Sequence, residues 1–331
     1  MIKKVLSVFS LGVIVGLQAQ VGYWPNDTRG KDKSVYAITN ITLFQDYKTK
    51  IENAVLVFKD GKVIASGKTS VPKDAVVIDG KGSYVYPSFI DPYANVGVQK
   101  ATRTTYNSGS TYLPTDATSA AYNDAIKADT RAATNFTNQT KDYQEYLNQG
   151  FGSVLSFNED GIVRGSGVLV GLGEGLPTDK ILKEDAAFLL SFQKGSSRQA
   201  YPSSLVGSVA LLRQVYLDAD WYSKAGNQEN KNANLESFNK FKKLPTIIET
   251  TEKWDVLRAD KVGDEAGSQF VFLGSGDEYQ RAKEIKATNG TFILPLEYPK
   301  AYQVQDALDI EDLDVADLKH WELAPYNAVY L

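Results

Sequence analysis

The stretch Tyr84-Val-Tyr-Pro-Ser-Phe-Ile-Asp-Pro-Tyr-Ala-Asn-Val-Gly97 sets a carboxylate, Asp91, close to a phenol, Tyr93, and an amide, Asn95. Such a group could bind a cation or a polar ligand, but the rest of the chain supplies little metal chemistry. It holds one histidine, His320, and no cysteine. A zinc centre takes three or four nitrogen, sulfur or carboxylate ligands, with His and Cys dominating. A metal here would rest almost wholly on carboxylates, which suit Mg or Ca better than Zn. Zinc hydrolysis by this stretch alone is therefore not expected.

Other residues offer less. Arg164, in Gly161-Ile-Val-Arg-Gly-Ser-Gly167, could grip a substrate carboxylate with its rigid fork; its Gly-rich setting points first to a turn-fixing or surface arginine. The glycines at 165, 167, 171, 173 and 175 invite a phosphate-loop reading. A dinucleotide loop must follow a strand and open a helix, whereas these glycines flank Val168-Leu-Val170, itself strand-like. His320, beside Trp321, reads as a helix-terminal surface residue.

The elements that must position these groups belong to a globular chain. Its 331 residues, 43% hydrophobic and 23% charged, suggest about two domains. A net charge of -4 argues against a nucleic-acid or anionic-membrane partner. Met1-Ile-Lys-Lys, the apolar run Val5 to Leu17 and the small-residue context Leu17-Gln-Ala-Gln20 read as a secretory signal peptide, residues 1–19, cleaved after Ala19. The run is short for a membrane span, so an uncleaved anchor is the lesser alternative. The mature chain is expected to be periplasmic or secreted, with no stable membrane insertion after cleavage.

Residues 20–34 read as a linker arm, with a turn at Pro25-Asn-Asp-Thr-Arg-Gly30. Residues 35–86 read as strands, with Asp60-Gly61 as a hairpin turn and further short strands at Ala75–Ile78 and Tyr84–Tyr86. They predict a small antiparallel sheet that should pack on something larger or be completed by strands from elsewhere in the chain. Beyond it come a polar loop over Ala101–Thr118, one or two helices over Ala120–Leu147, a strand over Phe151–Phe157, a turn over Asn158–Gly161 and an extended segment over Ile162–Leu172. Leu205, Val209, Leu212 and Tyr216 share a helical face, and the polar stretch 227–243 that follows is expected to be solvated. Strands at 246–249, 270–273 and 292–296 alternate with helices at 251–259 and 278–288, the mark of βα units and a parallel sheet. A last helix is expected over 310–322, with a further strand due where Leu331 falls.

Asn53-Ala-Val-Leu-Val-Phe-Lys-Asp-Gly-Lys-Val-Ile-Ala-Ser-Gly67 and Val77-Ile-Asp-Gly-Lys-Gly-Ser-Tyr-Val-Tyr-Pro-Ser-Phe-Ile-Asp91 resemble the amidohydrolase superfamily, especially its imidazolonepropionase-like members. Tyr201-Pro-Ser-Ser-Leu-Val-Gly and His320-Trp-Glu-Leu-Ala-Pro-Tyr-Asn resemble long exported amidohydrolases of Bacteroidetes type, in which a degenerate first half precedes a half that keeps the metal ligands. The resemblance implies an α/β chain: a small β-sandwich (composite domain) over 35–86, then an incomplete TIM-type (β/α) barrel over 87–331, N-terminal units only.

It also implies a metal-dependent hydrolase of non-peptide C-N bonds, with a divalent metal such as zinc. The family's first barrel strand ends Phe-Ile-Asp-x-His-x-His; here Tyr93 and Asn95 stand at the two histidine positions. No metal or other cofactor is thus expected for this segment, and no catalytic residue carries over. What remains is a set of ligand-binding candidates at the barrel mouth, Asp91, Tyr93, Asn95, Asn158, Glu159 and Arg164, with Glu249, Ser275 and Glu297 at later strand ends. The resemblance implies a non-catalytic half whose partner is a C-terminal continuation of the same chain or a catalytic amidohydrolase half. The alternative is a cell-envelope module that binds a small molecule.

Overall fold

The computed structural model describes residues 34–98, 111–114, 123–137, 140–224, 231–302, 304, 311 and 313–331. The expected signal peptide, the linker arm up to residue 33 and most of the 101–118 loop lie outside the described residues. Two compact units meet in sequence at Pro87/Ser88.

The first unit grows from a tight hairpin. Asp60 and Gly61 both take positive φ, 49° and 71°, the twist that lets a two-residue turn join right-handed strands. The turn joins β2 (Lys50–Lys59) to β3 (Lys62–Gly67), and β2 pairs antiparallel with β1 (Tyr36–Phe44). The expectation of an antiparallel sheet fails at its other edge. The chain leaves β3 and reaches the far side of β1, so β4 (Val76–Asp79) and β5 (Tyr84–Val85) both run parallel to β1. Ala37, Ile41, Leu43, Ala54 and Val57 form its small buried core.

The second unit is a seven-stranded sheet in the order β12-β11-β10-β9-β8-β7-β6. Its strands are β6 (Phe89–Ala94), β7 (Phe151–Ser156), β8 (Val163–Gly171), β9 (Ile181–Ser191), β10 (Thr246–Glu249), β11 (Phe270–Leu273) and β12 (Thr291–Ile293). Pro92 lacks the amide a central strand must donate, which suits β6 to the edge it occupies. β8 alone runs antiparallel to its neighbours; the other pairs are parallel. β6 and β12 do not pair, so the sheet is an incomplete (β/α) barrel and the fold is α/β.

Strand periodicity sorts side chains to two faces. Phe188, Leu190, Ile248, Phe270 and Phe272 meet the helices α2 (Leu205–Lys224), α3 (Ala233–Phe241), α4 (Lys253–Ala266) and α5 (Ala282–Ala287). Each fully buried Phe or Leu there contributes about 2–3 kcal/mol relative to exposure. Leu155, Phe157, Leu189, Ile247 and Leu273 cluster on the opposite, inner face. Outside this layer, α1 (Thr140–Asn148) leads into β7 and α6 (Val315–Leu323) follows β12.

Two expectations are corrected, and one strand was not expected. Of the helices expected over 120–147, the described residues contain only α1 and a 3-10 turn at Ala132–Thr134. The backbone ahead of that turn is committed elsewhere: Lys127 N–H donates to Val163 O and Ser166 N–H to Thr130 O, which fastens this segment to β8. The stretch 227–243 is not uniformly solvated, because Leu235, Phe238 and Phe241 are buried along one side of α3. Strand β9 answers to no expected element.

Candidate functional site

Because β8 runs against its neighbours, its first residues lie at the same end of the sheet as the last residues of β7 and β9. Arg164 is delivered there, beside the ends of β6 and β10. Gly161 (φ 100°) and Gly165 (φ 79°) let the 125–130 segment pack close on this strand: a Cβ would sit 2.7 Å from Ala125 O at the first and 1.9 Å from Thr130 O at the second.

Arg164 is a buried guanidinium, its side chain only 4% exposed, not the surface arginine its setting suggested. Nε donates to Gly161 O at 3.0 Å, Nη1 to the Tyr93 hydroxyl at 3.3 Å and Nη2 to Glu249 Oε2 at 2.6 Å. Ser191, the last residue of β9, donates its hydroxyl to the same Glu249 oxygen at 3.0 Å. Four strands thus converge on one ion pair. Burial pushes the Tyr93 hydroxyl well above its ordinary pKa, the negative charges of Glu249 and Glu159 add to this, and Arg164 opposes them. Tyr93 is a neutral phenol at any physiological pH.

The remaining candidates divide. Asn95 donates to Glu159 Oε2 at 3.1 Å across the ends of β6 and β7. Asp91 turns back on its own strand and accepts from Tyr93 N–H at 3.0 Å. Asn158 has a buried Oδ1 without a hydrogen-bond partner among the described residues. Ser275 and Glu297 do not join the Arg164 group; they line a cleft of about 380 Å³ that none of those residues touches.

Ser191 was not anticipated, nor was the network below Arg164. There Asp160 accepts from Ser196 N–H at 2.6 Å and from the Ser196 hydroxyl at 2.6 Å, and pairs with Lys127. Burial alone would raise the Asp160 carboxyl, but Lys127 and Ser196 overcome it and hold it below the usual range. Lys127 also donates to Ser196 Oγ at 3.2 Å. Lys127, Asp160 and Ser196 thus close a ring of contacts that fastens the loop after β9 to the turn before β8.

Alignment with solved structures decides the fold. The chain matches an amidohydrolase from Thermotoga maritima MSB8 over 87% of its own length and 76% of that chain, with a TM-score of 0.63 at 18% identity. The fold is that of an amidohydrolase. A D-hydantoinase from Bacillus sp. AR9 (16% identity, 78% of this chain, 56% of that chain, TM-score 0.34) and an N-acetylglucosamine-6-phosphate deacetylase from Pasteurella multocida (12%, 78%, 56%, 0.33) align too loosely to add to this. No family model matches the sequence, and no curated protein does.

The divalent metal implied by the amidohydrolase resemblance does not fit these residues. A neutral phenol and an amide already engaged by Glu159 are poor ligands. Among the described residues, no group of three or more His, Cys, Asp or Glu side chains is arranged to hold a metal. Arg164 adds an active objection: its guanidinium already donates to the Tyr93 hydroxyl and to Glu249, the acceptors a cation would need. The strand-end carboxylate that could have bound a metal, Glu249, instead neutralises an arginine.

Proposed function

We propose that this chain is a non-catalytic half of an exported, amidohydrolase-like protein, a scaffold for a catalytic half that carries its own metal. The catalytic half would be a C-terminal continuation of the same polypeptide or a separate chain, and its reaction the metal-dependent hydrolysis of a non-peptide C-N bond. The observation that carries the reading is the Arg164–Glu249 pair. A protein cation, bonded to the phenol at the first histidine position, supplies the positive charge that the strand ends would otherwise take from a metal.

Metal loading tests it. After incubation with excess zinc and desalting, the purified chain should retain well under one zinc per molecule and should not open hydantoin or hydrolyse N-acetyl amino acids above background. Stoichiometric zinc, with hydrolysis abolished by Glu249→Gln, would overturn the reading. A companion variant carrying Tyr93→His, Asn95→His and Arg164→Met should gain zinc affinity, while the two histidine changes made with Arg164 in place should not.

A small-ligand module of the cell envelope is the second reading, favoured by the buried, unpartnered Asn158 oxygen beside the exposed Glu159. Chemical-shift changes confined to the ends of β6 and β7 on titration with a small donor-rich molecule would mark that role.

A further inference from the structure

We propose that the cleft beyond β11 and β12 is a second site, built for a small amine that also carries a carboxamide, an amino-acid amide being the simplest form. The proposal is independent of whether Arg164 silences the strand-end centre. The cleft opens at the C-terminal ends of the two strands, the face on which this architecture places its ligands, and its volume of about 380 Å³ suits a small molecule. Ser275 and Glu297 come from the strand side, and His320 and Asn327 from α6 and the turns that follow it.

Its walls are held in place before any ligand arrives. Glu278 is fully buried. One carboxylate oxygen accepts from Ser275 N–H at 2.6 Å and the Ser275 hydroxyl at 3.0 Å; the other accepts from Gly276 N–H at 3.0 Å and Asn327 Nδ2 at 2.6 Å. Asn327 Oδ1 accepts in turn from Tyr279 N–H at 2.8 Å. These bonds tie the segment after α6 to the loop after β11, so binding need not order that wall.

Glu297, Tyr298 and His320 are the polar side chains of the lining left to face a ligand, and the first and last set its chemistry. Glu297 is exposed and has no ion pair or hydrogen bond among the described residues. His320 lies 3.1 Å through Nδ1 from the Tyr279 hydroxyl, whose oxygen already accepts from Gln280 Nε2 at 3.3 Å. That contact engages Nδ1 whichever group donates, and the other ring nitrogen, Nε2, has no partner among the described residues. The cleft thus offers a carboxylate and an imidazole nitrogen between apolar surfaces such as Leu294, Pro295 and Pro325. An ammonium meets Glu297, a carboxamide, which can both accept and donate, meets His320, and a small aliphatic body meets the prolines.

His320 is the sole histidine, so its ring gives one isolated set of NMR signals. The full chain is titrated with L-leucinamide, with isoamylamine, which lacks the carbonyl, and with N-acetyl-L-leucine, which lacks the cation. L-leucinamide should shift the His320 signals saturably, isoamylamine should bind more weakly, and N-acetyl-L-leucine should not bind. Glu297→Gln should weaken L-leucinamide about tenfold or more, while Glu174→Gln, at an exposed position outside the cleft, should leave it unchanged. No saturable shift with L-leucinamide, equal affinity in the Glu297→Gln variant, or preference for N-acetyl-L-leucine would each overturn the proposal.

Discussion

Replacing Glu249 by Gln should cost more stability than replacing its partner. Arg164 is 4% exposed and Glu249 27%. Glu249→Gln strands a guanidinium with only neutral acceptors, Gly161 O and the Tyr93 hydroxyl, and water has little access to it. Removing one member of a buried pair costs about 3–5 kcal/mol; the partial exposure of Glu249 puts the expected loss near the lower end, about 3 kcal/mol. Arg164→Met leaves a carboxylate that water can reach and that keeps its bond from Ser191, so about 1–2 kcal/mol should be lost. With both changes no charge remains unpaired, and the double variant should lie close to Arg164→Met alone, a coupling of about 3 kcal/mol. Urea unfolding with linear extrapolation measures all four corners. Costs that add to within about 0.5 kcal/mol, or an Arg164→Met variant weaker than Glu249→Gln, would refute the claim that the ion pair organises the strand ends.

Asp185 links the sheet to pH. Burial would raise its carboxyl, but hydrogen bonds from Arg131, Ser166 and Lys240 prevail and hold it at about 2. A depressed carboxyl stabilises the fold above its unfolded pKa and loses that contribution as pH falls through the folded one. About 2 kcal/mol should therefore vanish between about pH 4 and pH 2, and Asp185→Asn should flatten that part of a stability–pH curve. Asn327→Ala leaves the buried Glu278 short of a donor and should cost about 2–3 kcal/mol, read as faster proteolysis after α6. Gly165→Ala meets both a positive φ and a backbone oxygen, so a loss of about 3 kcal/mol or more is expected by thermal melting. Phe238→Ala should cost about 3–5 kcal/mol by the same measurement.

Residues 246–293 are legible in sequence because each strand is a short apolar run between helical stretches, and tertiary packing agrees with local preference. Strand β9 escapes because Lys183, Glu184 and Asp185 interrupt its first half; two of those charges exist to meet Arg131 from outside the strand. Helix α3 hides its buried side within an Asn- and Lys-rich composition, where Leu235, Phe238 and Phe241 are the only regular signal. At the site, the replacement of two expected histidines by Tyr93 and Asn95 can be read directly. The role of Arg164 cannot, because Gly161 and Gly165 look like turn residues until the strand they frame is known to run backwards, and its partner comes from β10. One local hint was present: Glu249 falls two residues after Ile247, on the same inward face.

The reversed strand also sets an order of assembly. Within β7, β8 and β9 the chain pairs with its near past: Ser156 with Val168, and Gly167 with Ala187. Phe89 must instead find Phe151, and Thr246 must find Phe188, across far longer loops. Closing long loops is slower and entropically costlier, so the meander should form first and carry Arg164 and Ser191 into place while the guanidinium is still hydrated. Glu249 arrives only when β10 docks. The ion pair is then a latch that closes late, and its formation reports that the parallel part of the sheet has joined the rest.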